Sequence, residues 1–178
     1  MHIHLDLLFI MINIFNHIIS KKEQKILLDW IYENEDKFTP NPAGPERKFY
    51  SFGDDPTFPQ LFLDVKKRIL EKENVKPFSE KPYSRKGDPY KDYIGWVSHG
   101  GHIHPHQDRT EEPYQHVRYN LFLSTPKKRG RPIYNGKKLR MRERSYIRCN
   151  SGNELHGSDL VLGNKPRIIV SYGVLLKS

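Results

Sequence analysis

His106-Gln107-Asp108, a distant His156 and an Arg167 eleven positions beyond it are the residues of this 178-residue chain whose types and spacing could do chemistry. On an extended segment, side chains two residues apart leave the same face, so His106 and Asp108 can reach one metal ion together. Two imidazoles and one carboxylate on one side of a metal leave its other positions open, which is the donor set of non-haem Fe(II) sites. An arginine can fork onto a carboxylate, so Arg167 is a candidate anchor for an acidic ligand.

The tripeptide by itself is weak. Nine histidines and twenty-one acidic residues produce a His-x-Asp/Glu sequence about once by chance. His4-Leu5-Asp6 is such a copy, at the extreme N-terminus with no strands ahead of it. The elements around His106 make the difference. A strand is expected over Tyr93 to Ser98, then a Gly100-Gly101 break, then the motif, then a second strand over His116 to Ser124. His156 ends a polar turn that begins at Cys149, and a strand from Arg167 to Leu176 closes the chain. Period two puts Arg167, Ile169, Ser171 and Gly173 on one face of that strand.

This pattern over Tyr90 to Leu176 resembles the 2-oxoglutarate and Fe(II)-dependent dioxygenases. The resemblance implies a mainly β fold with flanking helices (α+β), its core a double-stranded β-helix, or jelly roll, buttressed by N-terminal helices. It implies that His106, Asp108 and His156 bind Fe(II), that 2-oxoglutarate chelates the metal, and that Arg167 holds its distal carboxylate, with Ser171 as a helper and ascorbate supporting activity. The reaction implied is oxidative decarboxylation to succinate and CO2 coupled to hydroxylation of a protein side chain or small molecule, or to oxidative demethylation or hydroxylation of nucleic acid. Prolyl-hydroxylase-like members often carry a co-substrate tyrosine on the strand after the motif; Phe122 stands there, and Arg118 and Asn120, on its face, are the substitutes if Tyr119 and Leu121 point away. The acidic-Gly-Gly turn of that branch is replaced by Lys128-Arg129-Gly130-Arg131, whereas His156-Gly157-Ser158 is similar to phytanoyl-type members, so the branch stays open.

Other readings of the same residues exist. His99, His102, His104 and His106 form a tract that could bind zinc or be a solvated loop, and His104-x-His106 with Glu111 approaches a cupin metal motif but lacks its glycines. A differently metallated, non-catalytic β-helix whose basic face binds polyanions is therefore the competing function class.

The chain is long enough for one domain, with residues 1–89 as support and 90–178 as the core; at this size folding buries about two-thirds of the surface the unfolded chain exposes. The single cysteine, Cys149, excludes an intrachain disulfide, and with no signal peptide or membrane span legible the expected setting is cytoplasmic. A strand is expected over Leu8 to Phe15. Ser20 with Glu23 reads as a capping box for a helix carrying Ile26, Leu27, Trp30 and Ile31 on its apolar stripe. A Pro/Gly loop over Thr39 to Pro45 precedes a second helix after Pro59, with Leu61, Phe62, Val65 and Ile69 on one side, and Pro77, Pro82 and Pro89 mark a long loop.

Formal net charge is +9, and between Lys127 and Arg148 ten basic residues face the single acid Glu143. In the family fold that connection runs near the active-site mouth, where it would draw an anionic substrate such as nucleic acid or an acidic peptide. Tyr134 and Tyr146, interleaved with the charges, would suit base stacking or a hairpin surface.

Overall fold

The computed structural model describes residues 14–42, 44–52, 55–76, 91–110 and 112–177. In chain order these form β1 (Ile14–Phe15), α1 (Lys21–Glu33), β2 (Thr39–Asn41), β3 (Gly44–Ser51), α2 (Leu61–Lys72), β4 (Tyr93–Val97), β5 (Ile103–His106) and β6 (Tyr114–Ser124). Then follow β7 (Lys128–Arg129), β8 (Pro132–Tyr134), β9 (Lys137–Lys138), β10 (Tyr146–Cys149), β11 (His156–Ser158), β12 (Val161–Leu162) and β13 (Arg167–Lys177).

The strands make a seven-stranded sheet in the order β1-β10-β6-β13-β4-β3-β2, a four-stranded sheet β5-β11-β8-β9, and a two-stranded pair β12-β7. All pairings are antiparallel. One face of the large sheet packs on the helices and the other on the small sheet, the two-sheet jelly roll expected of a double-stranded β-helix.

Period two divides the large sheet cleanly. On β6, Val117, Tyr119, Leu121 and Leu123 join the helix-side core with Ile168, Val170, Tyr172 and Val174 of β13. Phe122 and Ile169 face the other way, into a smaller cluster with Tyr134, Leu139, Met141, Ile147 and Cys149. Arg118 and Asn120 share the Phe122 face, so they, and not Tyr119 and Leu121, look into the barrel. Burial raises the Cys149 thiol far above its ordinary range, which leaves it an inert strand residue.

The helices buttress the sheet. The Ser20 hydroxyl accepts from the Glu23 amide at 3.2 Å and the Glu23 carboxylate accepts from the Ser20 amide at 2.7 Å, so two amides that the helix cannot satisfy internally are paired. Leu27, Trp30 and Ile31 are buried as the stripe requires, but Ile26, expected among them, lies at its edge and is 43% exposed. On α2, Phe62, Val65 and Ile69 are buried; Trp30 packs edge-on to Phe58 and Phe62, and the Tyr172 hydroxyl donates to the Phe62 carbonyl at 2.8 Å, tying helix to sheet.

Two expectations change. The stretch read as a Pro/Gly loop over Thr39 to Pro45 is the hairpin β2–β3, and β3 runs on to Ser51, paired with β4 over five positions. Arg47, Phe49 and Ser51 lie on the barrel side of β3, and the mixed polarity of that face hid the strand. Of the strand expected over Leu8 to Phe15, Ile14–Phe15 is present; Leu8 to Asn13, like His4, Asp6, Pro77, Pro82, Pro89 and Glu111, lies outside the described residues. Among the described residues no helix is long and apolar enough to cross a membrane.

Candidate active site

His106 ends β5 and His156 begins the neighbouring β11, where the two are paired in the antiparallel ladder. Their rings sit 4.4 Å apart between centroids. Asp108, two residues beyond the strand, is held by its own backbone: its amide donates to the Ser151 carbonyl at 2.7 Å, and the Gln107 side chain donates to the Asn153 carbonyl at 2.7 Å. The turn that leads into β11 therefore carries the His106-x-Asp108 motif on one side and His156 at its end.

The three side chains offer ligand atoms within 4.8 Å of one another, a group that could hold a metal ion. The Asp108 Oδ1 lies 3.6 Å from the Nε2 of His106 and 3.8 Å from that of His156. Each histidine places its Nδ1 against the carbonyl two residues earlier, His106 on His104 at 2.8 Å and His156 on Glu154 at 3.0 Å. A carbonyl only accepts, so both Nδ1 atoms carry the proton and both Nε2 lone pairs are turned toward Asp108. Burial lowers the pKa of His156, which favours this neutral, ligating form. Burial works against the Asp108 carboxylate, yet the Arg118 guanidinium, by its charge and its hydrogen bond, outweighs it and holds the pKa below the ordinary range.

Arg118, expected at the co-substrate, also reaches the metal-ligand candidate Asp108. Its Nε donates to the other oxygen of Asp108 at 2.9 Å, its Nη1 to the Lys91 carbonyl at 3.2 Å and to the Ser171 hydroxyl at 3.3 Å, and its guanidinium lies over the Tyr93 ring. Asp108 Oδ2 is thereby tied back and Oδ1 left to face the histidines. Arg118→Gln is expected to lower Mn(II) affinity about 10- to 100-fold, the usual effect of removing a group that orients a ligand; a Mn(II) titration giving an unchanged Kd would show that Asp108 is placed by its backbone alone.

Beside this group lies a cavity of about 610 Å3 lined by β3, β4 and β13, with Arg118 at one side and Arg167 at another. Arg47, Val97 and Arg167 are in register across the three strands, above the rows Phe49-Gly95-Ile169 and Ser51-Tyr93-Ser171. Arg167 is 5% exposed, and its Nε and Nη1 have no hydrogen-bond partner among the described residues. Burial pulls its pKa down. A buried cation without a counter-charge is costly, and a carboxylate is the group whose geometry a guanidinium fork matches. The Ser171 hydroxyl, in register with Tyr93 on the same face as Arg167, accepts from Arg118 at 3.3 Å.

Tyr134 was not among the expected site residues. Its ring stacks on His156 at 6.3 Å and its hydroxyl accepts from the Asn120 Nδ2 at 3.0 Å. The hydroxyl proton stays available for a ligand, and burial raises its pKa far above the ordinary range. Neither Tyr134 nor Tyr146 is a surface residue: they are 5% and 0% exposed, and the Tyr146 hydroxyl donates to Glu73 at 2.7 Å. The His102 and His104 side chains pair with each other through their Nε2 atoms at 3.0 Å and are not part of the three-residue group; His104 meets it only through its carbonyl, which accepts from His106. The basic stretch does not frame this cavity. It lines a separate groove of about 1110 Å3 that shares no residue with it.

No family model matches the chain. No curated protein matches it. Solved structures do. HygX from Streptomyces hygroscopicus, with nickel, 2-oxoglutarate and hygromycin B bound, superposes with a TM-score of 0.65 at 12% identity over 91% of this chain and 81% of that one. A prolyl-4-hydroxylase from Pseudomonas putida gives 0.65 at 12% identity over 94% and 92%. The fold is that of the 2-oxoglutarate-dependent oxygenases. The viral collagen prolyl hydroxylase of Paramecium bursaria Chlorella virus-1, in its 2-oxoglutarate complex, agrees at a TM-score of 0.64 and 12% identity over 92% and 94%. At this identity the likeness is one of fold, and the chemistry rests on this chain's own residues.

Proposed function

We propose that the protein is an Fe(II) and 2-oxoglutarate-dependent oxygenase that hydroxylates a protein side chain or a small molecule. The observation that carries this reading is the buried guanidinium of Arg167, whose Nε and Nη1 have no partner among the described residues, opening on a cavity whose other side, Arg118, grips the metal-ligand candidate Asp108. A metal site alone suits many functions; a metal site with a carboxylate receptor beside it suits an acidic co-substrate that chelates the metal.

His106, Asp108 and His156 would hold the iron through two neutral Nε2 atoms and one carboxylate oxygen. Ferrous iron there supplies the redox chemistry by which 2-oxoglutarate loses CO2 to become succinate, one oxygen atom of O2 entering succinate and the other a C–H bond of the substrate. Arg167 takes the distal carboxylate, and its neutralisation by the ligand removes the cost of an unpaired buried charge. Tyr134, kept neutral by burial and held by Asn120, is placed to donate to the same ligand. Val97 and Ile169 wall the cavity with apolar surface that excludes water.

The test is succinate formation from 2-oxoglutarate by purified protein with Fe(II) and ascorbate and no prime substrate, against His106→Ala. Slow turnover that vanishes in the variant is expected. Silence together with no 2-oxoglutarate binding in the presence of Mn(II) would overturn the reading in favour of a non-catalytic metal-binding β-helix.

A further inference from the structure

The groove on the basic stretch is set apart from the cavity by distance along β6. Phe122, which lines it, lies four residues along β6 from Arg118, about 13 Å at the rise of a strand. Eight cationic side chains line the groove, three lysines and the arginines Arg129, Arg131, Arg140, Arg142 and Arg144, against one carboxylate, Glu143. That carboxylate is fully engaged: it accepts from the Thr125 amide at 3.0 Å and from Gln24 at 3.1 Å, and it pairs with Lys165. None of the five arginines has an ion pair among the described residues, and all but the half-buried Arg144 are exposed.

Unpaired cations crowded along one groove repel one another, and the arrangement is relieved only by an anion that carries several charges at once. Two of the arginines, Arg129 and Arg144, hold backbone φ of 58° and 67°, in the left-handed region where glycine or asparagine is the cheaper residue. Neither side chain has an ion pair or hydrogen bond among the described residues, so the charge is what remains to account for an arginine there.

We propose that this groove is a second binding site, independent of the metal centre, for the sugar–phosphate backbone of a double-stranded nucleic acid. Arginine forks match phosphate oxygens as well as carboxylates, so the choice rests on what the groove lacks. An acidic protein partner would want aromatic or aliphatic anchors, but Phe122 and Met141 are 0% and 8% exposed and the groove presents charge and backbone. A single strand would want rings on which bases stack, and Tyr134 and Tyr146 are buried inside the fold. Contacts to phosphate alone hold a duplex without reading its sequence.

The experiment is binding of labelled DNA and RNA duplexes of unrelated sequence to the full chain, followed by fluorescence anisotropy between about 50 and 200 mM salt. Affinity is expected to fall steeply with salt and to be indifferent to sequence. The double variant Arg140→Gln/Arg142→Gln is expected to make the slope of log K against log salt shallower by about 2, whereas Arg140→Lys/Arg142→Lys keeps it. Both side chains are exposed and unpaired, so an unchanged thermal transition is the control for folding. Binding that ignores the glutamine variants, or no binding at the lowest salt, would overturn the proposal; polyglutamate bound as tightly as a duplex would replace it with an acidic protein partner. Succinate formation by these variants is expected to stay at the wild-type rate, so a failure of the oxygenase reading and a failure of the groove are separately visible.

Discussion

Arg167→Ala is expected to raise the apparent KM for 2-oxoglutarate by roughly 10^2- to 10^3-fold, because truncating one partner of a buried, hydrogen-bonded charge pair costs about 2–5 kcal/mol. The proposed metal ligands lie on β5, on β11 and in the loop after β5 and are untouched, so Mn(II) affinity should be unchanged. Arg167→Lys keeps a charge but loses the fork, and should fall between the two. The same residue makes an opposite prediction for the ligand-free protein. Its Nε and Nη1 are buried without partners, so Arg167→Met, which fills a similar volume without charge, should raise the melting temperature of the apo protein by a few degrees. Saturating 2-oxoglutarate should then stabilise the wild type and not the methionine variant. A KM for 2-oxoglutarate that does not move in Arg167→Ala would remove the observation on which the proposed function rests.

Gly157→Ala should disable the metal centre without touching a ligand. A Cβ at Gly157 would stand 2.6 Å from the Ile103 carbonyl oxygen, 3.1 Å from the Pro105 nitrogen and 3.2 Å from the His104 carbonyl carbon. All three are backbone atoms of β5, which no side-chain rotation can move aside, so the strand itself must shift. His106 ends that strand and His156 precedes the substituted residue, so the displacement enters the distance between the two histidines directly. Overpacking of this kind costs about 1–3 kcal/mol, or roughly 2–4 °C per kcal/mol in melting temperature for a chain of this size. Metal affinity is expected to drop at least about tenfold, since ligand positions must be held within about 0.5 Å. Gly136→Ala is the contrast: nothing lies within 4 Å of its Cβ, and only its φ of 78° opposes the change, so it should cost about 1 kcal/mol and leave the metal titration as it was. A wild-type Mn(II) Kd in Gly157→Ala would mean that β5 and β11 are not rigidly coupled.

The Ser20-Glu23 capping box, the apolar side of α2 and the strands β4, β6 and β13 were legible because each is a local pattern: a cap three residues from its partner, a helical stripe, a long apolar run. The His106-x-Asp108 pair was legible for the same reason, since a period of two places both side chains together on any extended segment. The hairpin β2–β3 was not, because the barrel side of β3 offers Arg47 and Ser51 where a core strand would offer aliphatics, and its prolines and glycines read as loop.

β6 shows where local pattern stops. From His116 to Ser124 every residue is buried, so the alternation that assigns faces disappears when both faces are covered. Whether Arg118 and Asn120 or Tyr119 and Leu121 look into the barrel was decided by the register of β6 against β13 and β10, which stacks Asn120 on Ser171 and Ile147. That register gave Arg118 its place against Asp108.

By itself the sequence determined the donor atoms: two imidazoles, a carboxylate and a guanidinium, with the spacing that lets the first pair act together and a basic stretch far richer in charge than folding needs. Only the tertiary structure decided which of these meet. It brought His156 beside His106 by pairing β11 with β5, buried Arg167 without a partner, turned Tyr134 inward, and carried the basic stretch away from the cavity into a groove of its own. The reason is physical: side-chain type and period are properties of neighbours along the chain, whereas burial, register and charge pairing are set by residues tens of positions away.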